Sequence, residues 1–414
     1  MRLGLLCGIT LLAARALAEP DPIGLATLRR LNPTLTGAGV AVGQVEASSP
    51  GWQANPAAVG MAECQMTWIG GAGLATTFPN DIGSESGHAD EVSRSFFSVA
   101  AGATRFANYE ASYFANAVIP GQLLIDARIV NQSFVFYGRI GRIDQLYDNY
   151  AAKYNVLFVS GAGNSGSVRS PGTAYNSISV GAFGGTSAVG PATDGRCKPD
   201  ITAPASATSF STPLVSGAAA LLLQAGATDI RLLKALILNG AVKPLEWTNT
   251  PTAPLDSRYG AGIANVFNSW RHFRAGQQAP GIIKAHRGWD LATIDTNQVK
   301  QYAFDAPIST ITATLVWLRN YGCTNVSNLN LTLRSEDGEV IGVSMSAVDN
   351  VEHLHLPHLL PGRYVLEVSS DAPDTYALAF DSGPSTPPGL QPWTLTGEPN
   401  QRYLIESTVD LRNW

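Results

Sequence analysis

Residues 212–224 read TPLVSGAAALLLQ, a stretch of helical length with no polar face. A helix of this kind must be covered on all sides, so it belongs at the centre of a layered domain. The segments before it supply the cover. Short β-branched and apolar runs at 40–45, 127–134, 156–160 and 177–180 predict buried strands. Helical periodicity is found at 88–98, 142–154, 212–224 and 229–239, with a further short helix at 23–31. Strands alternating with helices predict an α/β domain whose parallel sheet is covered on both faces. Asp229 stands as N-cap of the last helix and Gly240 as its stop.

The chain of 414 residues is too long for one ordinary domain. Residues 1–18 have a positive start at Arg2, an apolar run and the small-x-small site Ala16-Leu17-Ala18, which predicts a secretory signal peptide. No later run is apolar and long enough to predict a membrane span. Residues 19–275 hold the strand–helix alternation. At 276–383 the character changes to short alternating strands between turns, at 311–317, 329–334, 339–343, 364–369 and 376–380. That pattern predicts a small all-β sandwich folding around its own core. Residues 384–414 read as a Pro/Gly/Ser-rich linker and part of a further β module.

Charged residues make up 14% of the chain, and its formal net charge is −5. With no basic cluster to follow a phosphate backbone, nucleic acid is not an expected partner. After removal of the signal, Cys64, Cys197 and Cys323 remain, an odd number that leaves room for one disulfide of undetermined pairing. No His/Cys spacing suggests a zinc site.

Four segments carry candidate chemistry. In residues 198–224 a turn rich in Ala, Ser and Thr leads into the buried helix, and Ser209 stands just before it. Orphan N–H groups and the positive end of the helix dipole at that point would stabilise an oxyanion, although a serine there can equally be a helix cap. His88 opens a helix after Ser86-Gly87. Glu46 closes the strand GVAVGQVE, a carboxylate at the carboxyl edge of a parallel sheet. The strand at 156–160 runs into Gly161-Ala162-Gly163-Asn164, where glycines allow close backbone approach and the Asn164 amide can donate.

Taken together and in order, the four segments resemble the subtilisin family (subtilases) over about residues 37–270. The family's GVxVGVIDSG is here GVAVGQVEAS, its HGTHVAG is HADEVSR from His88, and its VNMSLG is VNQSFV. Its AAGN is GAGN, its GTSMATPHVAGAAALL is ATSFSTPLVSGAAALL, and KPD at 198–200 and YGAG at 259–262 are also familial. Glu46 replaces the family's aspartate, Ala207 the Gly before Thr-Ser, and Val135 the Gly of the substrate strand; Glu91 stands where a second His is usual.

The resemblance implies a doubly wound, mostly parallel α/β fold and a secreted serine endopeptidase acting on polypeptides. Ser209 would be nucleophile, His88 general base, Glu46 the carboxylate that orients it, and Asn164 the oxyanion donor. Gln132, Ser133 and Phe134, with Gly161, Ala162 and Gly163, would line the substrate cleft. No cofactor is required; a structural calcium is possible by family analogy, with no ligands assigned. Two other readings stand beside this one. One is a sedolisin-like acid peptidase using Glu46 and Asp90 or Glu91; the other is a non-catalytic binding protein on the same scaffold.

Overall fold

The computed structural model describes residues 21–47, 51–137, 141–307 and 309–383. The expected signal peptide at 1–18 and the expected linker and β fragment at 384–414 lie outside the described residues. The chain enters through α1 (Leu25–Leu31). It continues through β1 (Ala41–Glu46), α2 (Pro56–Val59), β2 (Met66–Gly70), β3 (Gly73–Ala75), α3 (Gly87–Val99), β4 (Arg105–Glu110) and the single turn α4 (Ala111–Tyr113). Then come β5 (Ile129–Gln132), α5 (Arg142–Tyr154), β6 (Leu157–Gly161), β7 (Ile178–Phe183), β8 (Ile201–Pro204), α6 (Thr208–Ala225), α7 (Ile230–Asn239) and α8 (Val266–Arg274).

The strands form one eight-stranded sheet in the order β3-β2-β4-β1-β5-β6-β7-β8. Every neighbouring pair is parallel except β2 with β3. Neighbouring residues of a strand face opposite sides. Accordingly Asn131 reaches Ser216 of α6, whereas Gln132 reaches Tyr147 of α5. The two helices therefore cover opposite faces, as the strand–helix alternation predicts. The apolar helix is central: Val215, Ala218, Ala219, Leu221 and Leu222 of α6 are buried. Gly217 lets α3 cross it closely, since a Cβ there would stand 2.6 Å from Cβ of Val99.

One boundary differs from the sequence reading, and one expected stop, Gly240, holds for a different reason. α6 begins at Thr208, so Ser209 lies inside its first turn rather than before it. Asp229 caps α7 by accepting from Arg231 N at 2.8 Å. Gly240 has φ −73°, which any residue adopts, so chain reversal does not require a glycine there. Close packing does, because a Cβ on Gly240 would stand 2.7 Å from the backbone N of Ser269 in α8.

After α8 come β9 (Gly281–Ile282), β10 (Arg287–Ile294), β11 (Val299–Ala306), β12 (Ser309–Trp317), β13 (Leu329–Ser335), β14 (Val340–Ser344), β15 (Val351–Leu359), β16 (Gly362–Ser370) and β17 (Asp374–Asp381). They form a four-stranded sheet, β10-β17-β12-β15, and a five-stranded sheet, β14-β13-β16-β11-β9. Leu315, Trp317, Leu331, Leu333, Leu366 and Leu378 fill the core between them. The other face of the four-stranded sheet is not free. Its Val316, Ala377 and Ala379 belong to the main core. The alternation in β17 thus serves two cores, with large residues inward and alanines towards α7.

Polar groups lock this seam. The Asn176 side chain accepts from Arg319 N and donates to Arg319 O, each at 2.9 Å. The Arg319 guanidinium pairs with the fully buried Asp148 carboxylate of α5 and sits 4.9 Å from the Tyr175 ring centre. Removing one partner of a buried pair leaves the other charge without compensation. Arg319→Ala is therefore expected to cost roughly 3–5 kcal/mol of stability. Urea unfolding checks this, and an unchanged midpoint would show that the seam is held elsewhere. Cys64, Cys197 and Cys323 are all free thiols, so no disulfide contributes among the described residues. Burial pushes the Cys197 thiol up to about 12.

Candidate active site

Strand β1 lies between β4 and β5, so the chain leaves it towards one side of the sheet and later returns on the other. The carboxyl end of such a strand opens a crevice, and Glu46 is the last residue of β1. Helix α3 begins opposite, capped by Ser86, whose Oγ accepts from Ala89 N. Two buried residues fix α3 against β1. Gln44 donates from Nε2 to Ala89 O at 3.0 Å, and Ser93 Oγ donates to Gln44 Oε1 at 3.0 Å. The result is that His88 Nδ1 lies 2.7 Å from Glu46 Oε2. The Glu46 side chain thus reaches the imidazole from the last position of β1.

Glu46 is 2% exposed, and its Oε1 has no hydrogen-bond partner among the described residues. Burial pushes the Glu46 carboxyl upward, against the hydrogen bond and charge of His88, which pull it down. The hydrogen bond to Glu46 raises His88, against the opposing effect of burial. A proton shared by this pair is therefore held more tightly than by an ordinary imidazole. With the proton on Nδ1 facing the carboxylate, Nε2 is left as the basic nitrogen. The His88 ring stands 5.8 Å, centre to centre, from that of Phe210, the residue after Ser209.

Ser209 is held by its own backbone. Pro213 has no N–H, so the carbonyl of Ser209 four residues earlier loses its helical donor. Ser133 Oγ takes that place, donating to Ser209 O at 2.9 Å. Asn131 Nδ2 donates to Ser133 Oγ at 3.0 Å, and Asn131 Oδ1 accepts from Ser216 Oγ at 2.8 Å. A chain of polar groups from inside α6 to the end of β5 thus anchors the serine. At the helix start, Asn164 Oδ1 accepts from Thr208 N at 2.9 Å and from Thr208 Oγ1 at 2.8 Å. Asn164 Nδ2 then points away from Thr208, and neither it nor the Ser209 N–H finds an acceptor among the described residues. Two free donors beside one hydroxyl can receive an oxyanion. Ala207, in place of the family's Gly, has φ −152° and ψ 161°, an extended conformation open to any residue.

The candidate cleft residues separate by face. Ser133, Phe134, Gly161 and Gly163 line a pocket of about 120 Å³ together with Ser209 and Asn164. Gly163 has φ +101°, a conformation that favours glycine. Gln132 is absent from this lining: it is fully buried on the α5 side, donating to Tyr147 Oη and accepting from Ser160 Oγ. The Ala162 side chain is buried against Val168 and Ala188. Val135 lines the pocket opposite Gly163, its Cγ1 3.6 Å from where a Gly163 Cβ would stand.

Other carboxylates near His88 are engaged elsewhere. Asp90 accepts from Asn55 N at 2.7 Å, and Glu91 pairs with Arg94 at 2.6 Å on the surface. Among the described residues, no group of three or more His, Cys, Asp or Glu could hold a metal ion. Gln44 and Ser216 were not singled out in the sequence. The available signal was polarity inside apolar segments, above all a Gln within the strand GVAVGQVE.

Residues 72–262 match the model of the subtilase family, a span that includes His88, Asn164 and Ser209 but starts after Glu46. Over that span, which lies within the α/β domain, the chain matches the subtilase family, the match of a serine-type peptidase. No curated protein matches the chain. Among solved structures, the serine protease of Aeromonas sobria is similar at 13% identity, covering 84% of this chain and 89% of that one with a TM-score of 0.43. A cold-adapted subtilisin-like serine proteinase is similar at 20% identity over 56% of this chain and 88% of its own, with a TM-score of 0.40. The pre-peptidase C-terminal domain of a Bacillus anthracis collagenase is similar at 18% identity over 25% of this chain and 96% of its own, with a TM-score of 0.21.

Proposed function

We propose that the protein is an exported endopeptidase that cleaves polypeptides through an acyl-enzyme formed on Ser209. His88 Nε2 takes the Ser209 proton as Oγ attacks the scissile carbonyl, and then delivers it to the leaving amine. Glu46 keeps the other proton on Nδ1 and stabilises the imidazolium. The Ser209 N–H and Asn164 Nδ2 receive the oxyanion. Water, activated by the same imidazole, hydrolyses the acyl-enzyme. Residues 1–18 serve export in this reading, and among the described residues no helix is long and apolar enough to cross a membrane.

The observation that carries the reading is the 2.7 Å contact between a buried Glu46 carboxylate and His88, made beside the first turn of the Ser209 helix. A scaffold kept only for binding has no need to bury a carboxylate against an imidazole. The deciding experiment is labelling of the full chain with a fluorophosphonate, followed by peptide mapping. The adduct is expected on Ser209 alone. An adduct on Ser206 or Ser211, or no adduct on folded protein, would overturn the assignment.

The direction of the His88 shift sets the pH dependence. A raised pKa keeps His88 protonated, and thus unable to act as base, to higher pH than an ordinary imidazole. The rise of kcat/KM with pH should therefore have its midpoint above about 6.5, the unperturbed value. A profile peaking in acid solution, with His88→Ala still active, would instead favour the sedolisin-like reading.

A further inference from the structure

Among the described residues, the pocket beside Ser209 contains one charged group, and its sign is positive. Arg169 lines the pocket together with Ser133, Phe134, Gly163 and Asn164, and no carboxylate among the described residues contributes to its wall. The guanidinium stacks 4.7 Å from the ring centre of Tyr137, which is also part of the lining. Beyond this stacking, the Arg169 side chain makes no ion pair or hydrogen bond among the described residues. Its backbone is fixed, however, through Arg169 N donating to Ala162 O at 3.3 Å. The residue is half-buried, so the charge is held in place with its donors unused. Elsewhere in this chain, buried or half-buried arginines such as Arg196, Arg231 and Arg319 are paired with aspartates.

We propose that Arg169 makes this pocket select a substrate Asp or Glu on the amino side of the scissile bond. The inference rests on Ser209 being the nucleophile. The pocket is bounded by Ser209 itself and by Asn164, so the attacked carbonyl lies at its mouth. The side chain that enters is then that of the residue supplying the carbonyl. A carboxylate there meets a guanidinium whose planar fork can bind both oxygens, and the Tyr137 ring keeps that fork oriented. A lysine or arginine side chain would meet a like charge, and a neutral one would leave the guanidinium unpaired.

Four tetrapeptide anilides sharing their first three residues and ending in Glu, Gln, Leu or Lys provide the test. The wild-type protein should cleave the Glu substrate with a kcat/KM at least about 10-fold above that of its Gln isostere at low salt. The advantage should shrink as salt is raised, because the pair is only partly buried. In Arg169→Gln the Glu-to-Gln ratio should fall to about 1, and in Arg169→Glu the Lys substrate should overtake Gln. Each ratio is measured on one protein sample, so a poorly folding variant does not distort it. Cleavage of the Leu and Gln substrates without a preference for Glu overturns this proposal and leaves the peptidase reading standing. So does a Glu preference that survives Arg169→Gln. Cleavage of none of the four, by protein whose Ser209 accepts the fluorophosphonate, also overturns it. Failure of both labelling and cleavage removes the peptidase reading and this one with it.

Discussion

Ser209→Ala should reduce peptide hydrolysis by roughly 10⁶, the loss expected when the nucleophile is removed from a triad acting as a unit. The side chain is well suited to a clean test. Ser209 Oγ makes no hydrogen bond among the described residues, so its removal strips no buried partner. What holds this turn in place is backbone: Ser209 O accepts from Ser133 Oγ, and Thr208 N donates to Asn164 Oδ1. Both contacts survive the substitution, so thermal unfolding should be nearly unchanged. A residual acceleration of about 10³–10⁴ over water is expected, because the two oxyanion donors remain. If Ser209→Ala keeps more than a few per cent of wild-type turnover, another residue is the nucleophile.

The parts of this molecule most readable from the sequence are those whose apolar pattern is unbroken or has a single period. The apolar run of α6 and the strand GVAVGQVE are buried almost throughout, the helix Arg142–Tyr154 buries one face, and each forms where its pattern places it. The candidate triad was also legible, because three short motifs carry it in family order. The support around the triad was not. That Ser133 takes over the Ser209 carbonyl depends on Pro213 lying four residues after Ser209, which becomes visible only once the helix is known to start at Thr208. Gln132 was grouped with the cleft because its neighbours are there, yet the two-residue period of β5 turns it to the opposite face. In the β region, β15 escaped prediction because its buried residues include Glu352 and His353. Such residues read as surface until their partners are known. Here Ser344 and Ser346 donate to Glu352, and Thr314 contacts His353.

Glu46→Gln should lower turnover by roughly 10²–10⁴ with the fold intact. The wild-type carboxylate can only accept, so it enforces an Nδ1–H tautomer and leaves Nε2 as the basic nitrogen. A Gln amide fills the same space but presents either its oxygen or its NH₂ to Nδ1. When the NH₂ faces Nδ1, the proton moves to Nε2 and the base is lost. The imidazolium formed during attack also loses its countercharge. Stability should not suffer, because the substitution removes a buried charge whose Oε1 already lacks a partner. The pH profile adds a second, independent readout. The hydrogen bond to Glu46 is the largest cause of the raised His88 pKa. With the carboxylate gone, the acid limb of the residual activity should move to lower pH, whatever the loss in rate. Glu46→Asp keeps the charge but shortens the 2.7 Å reach to Nδ1 by one methylene. It should lose less than Glu46→Gln and keep its acid limb closer to wild type. Wild-type turnover and an unmoved limb in Glu46→Gln would remove Glu46 from the mechanism and leave Asp81, Glu85 and Asp90 as the carboxylates next to test.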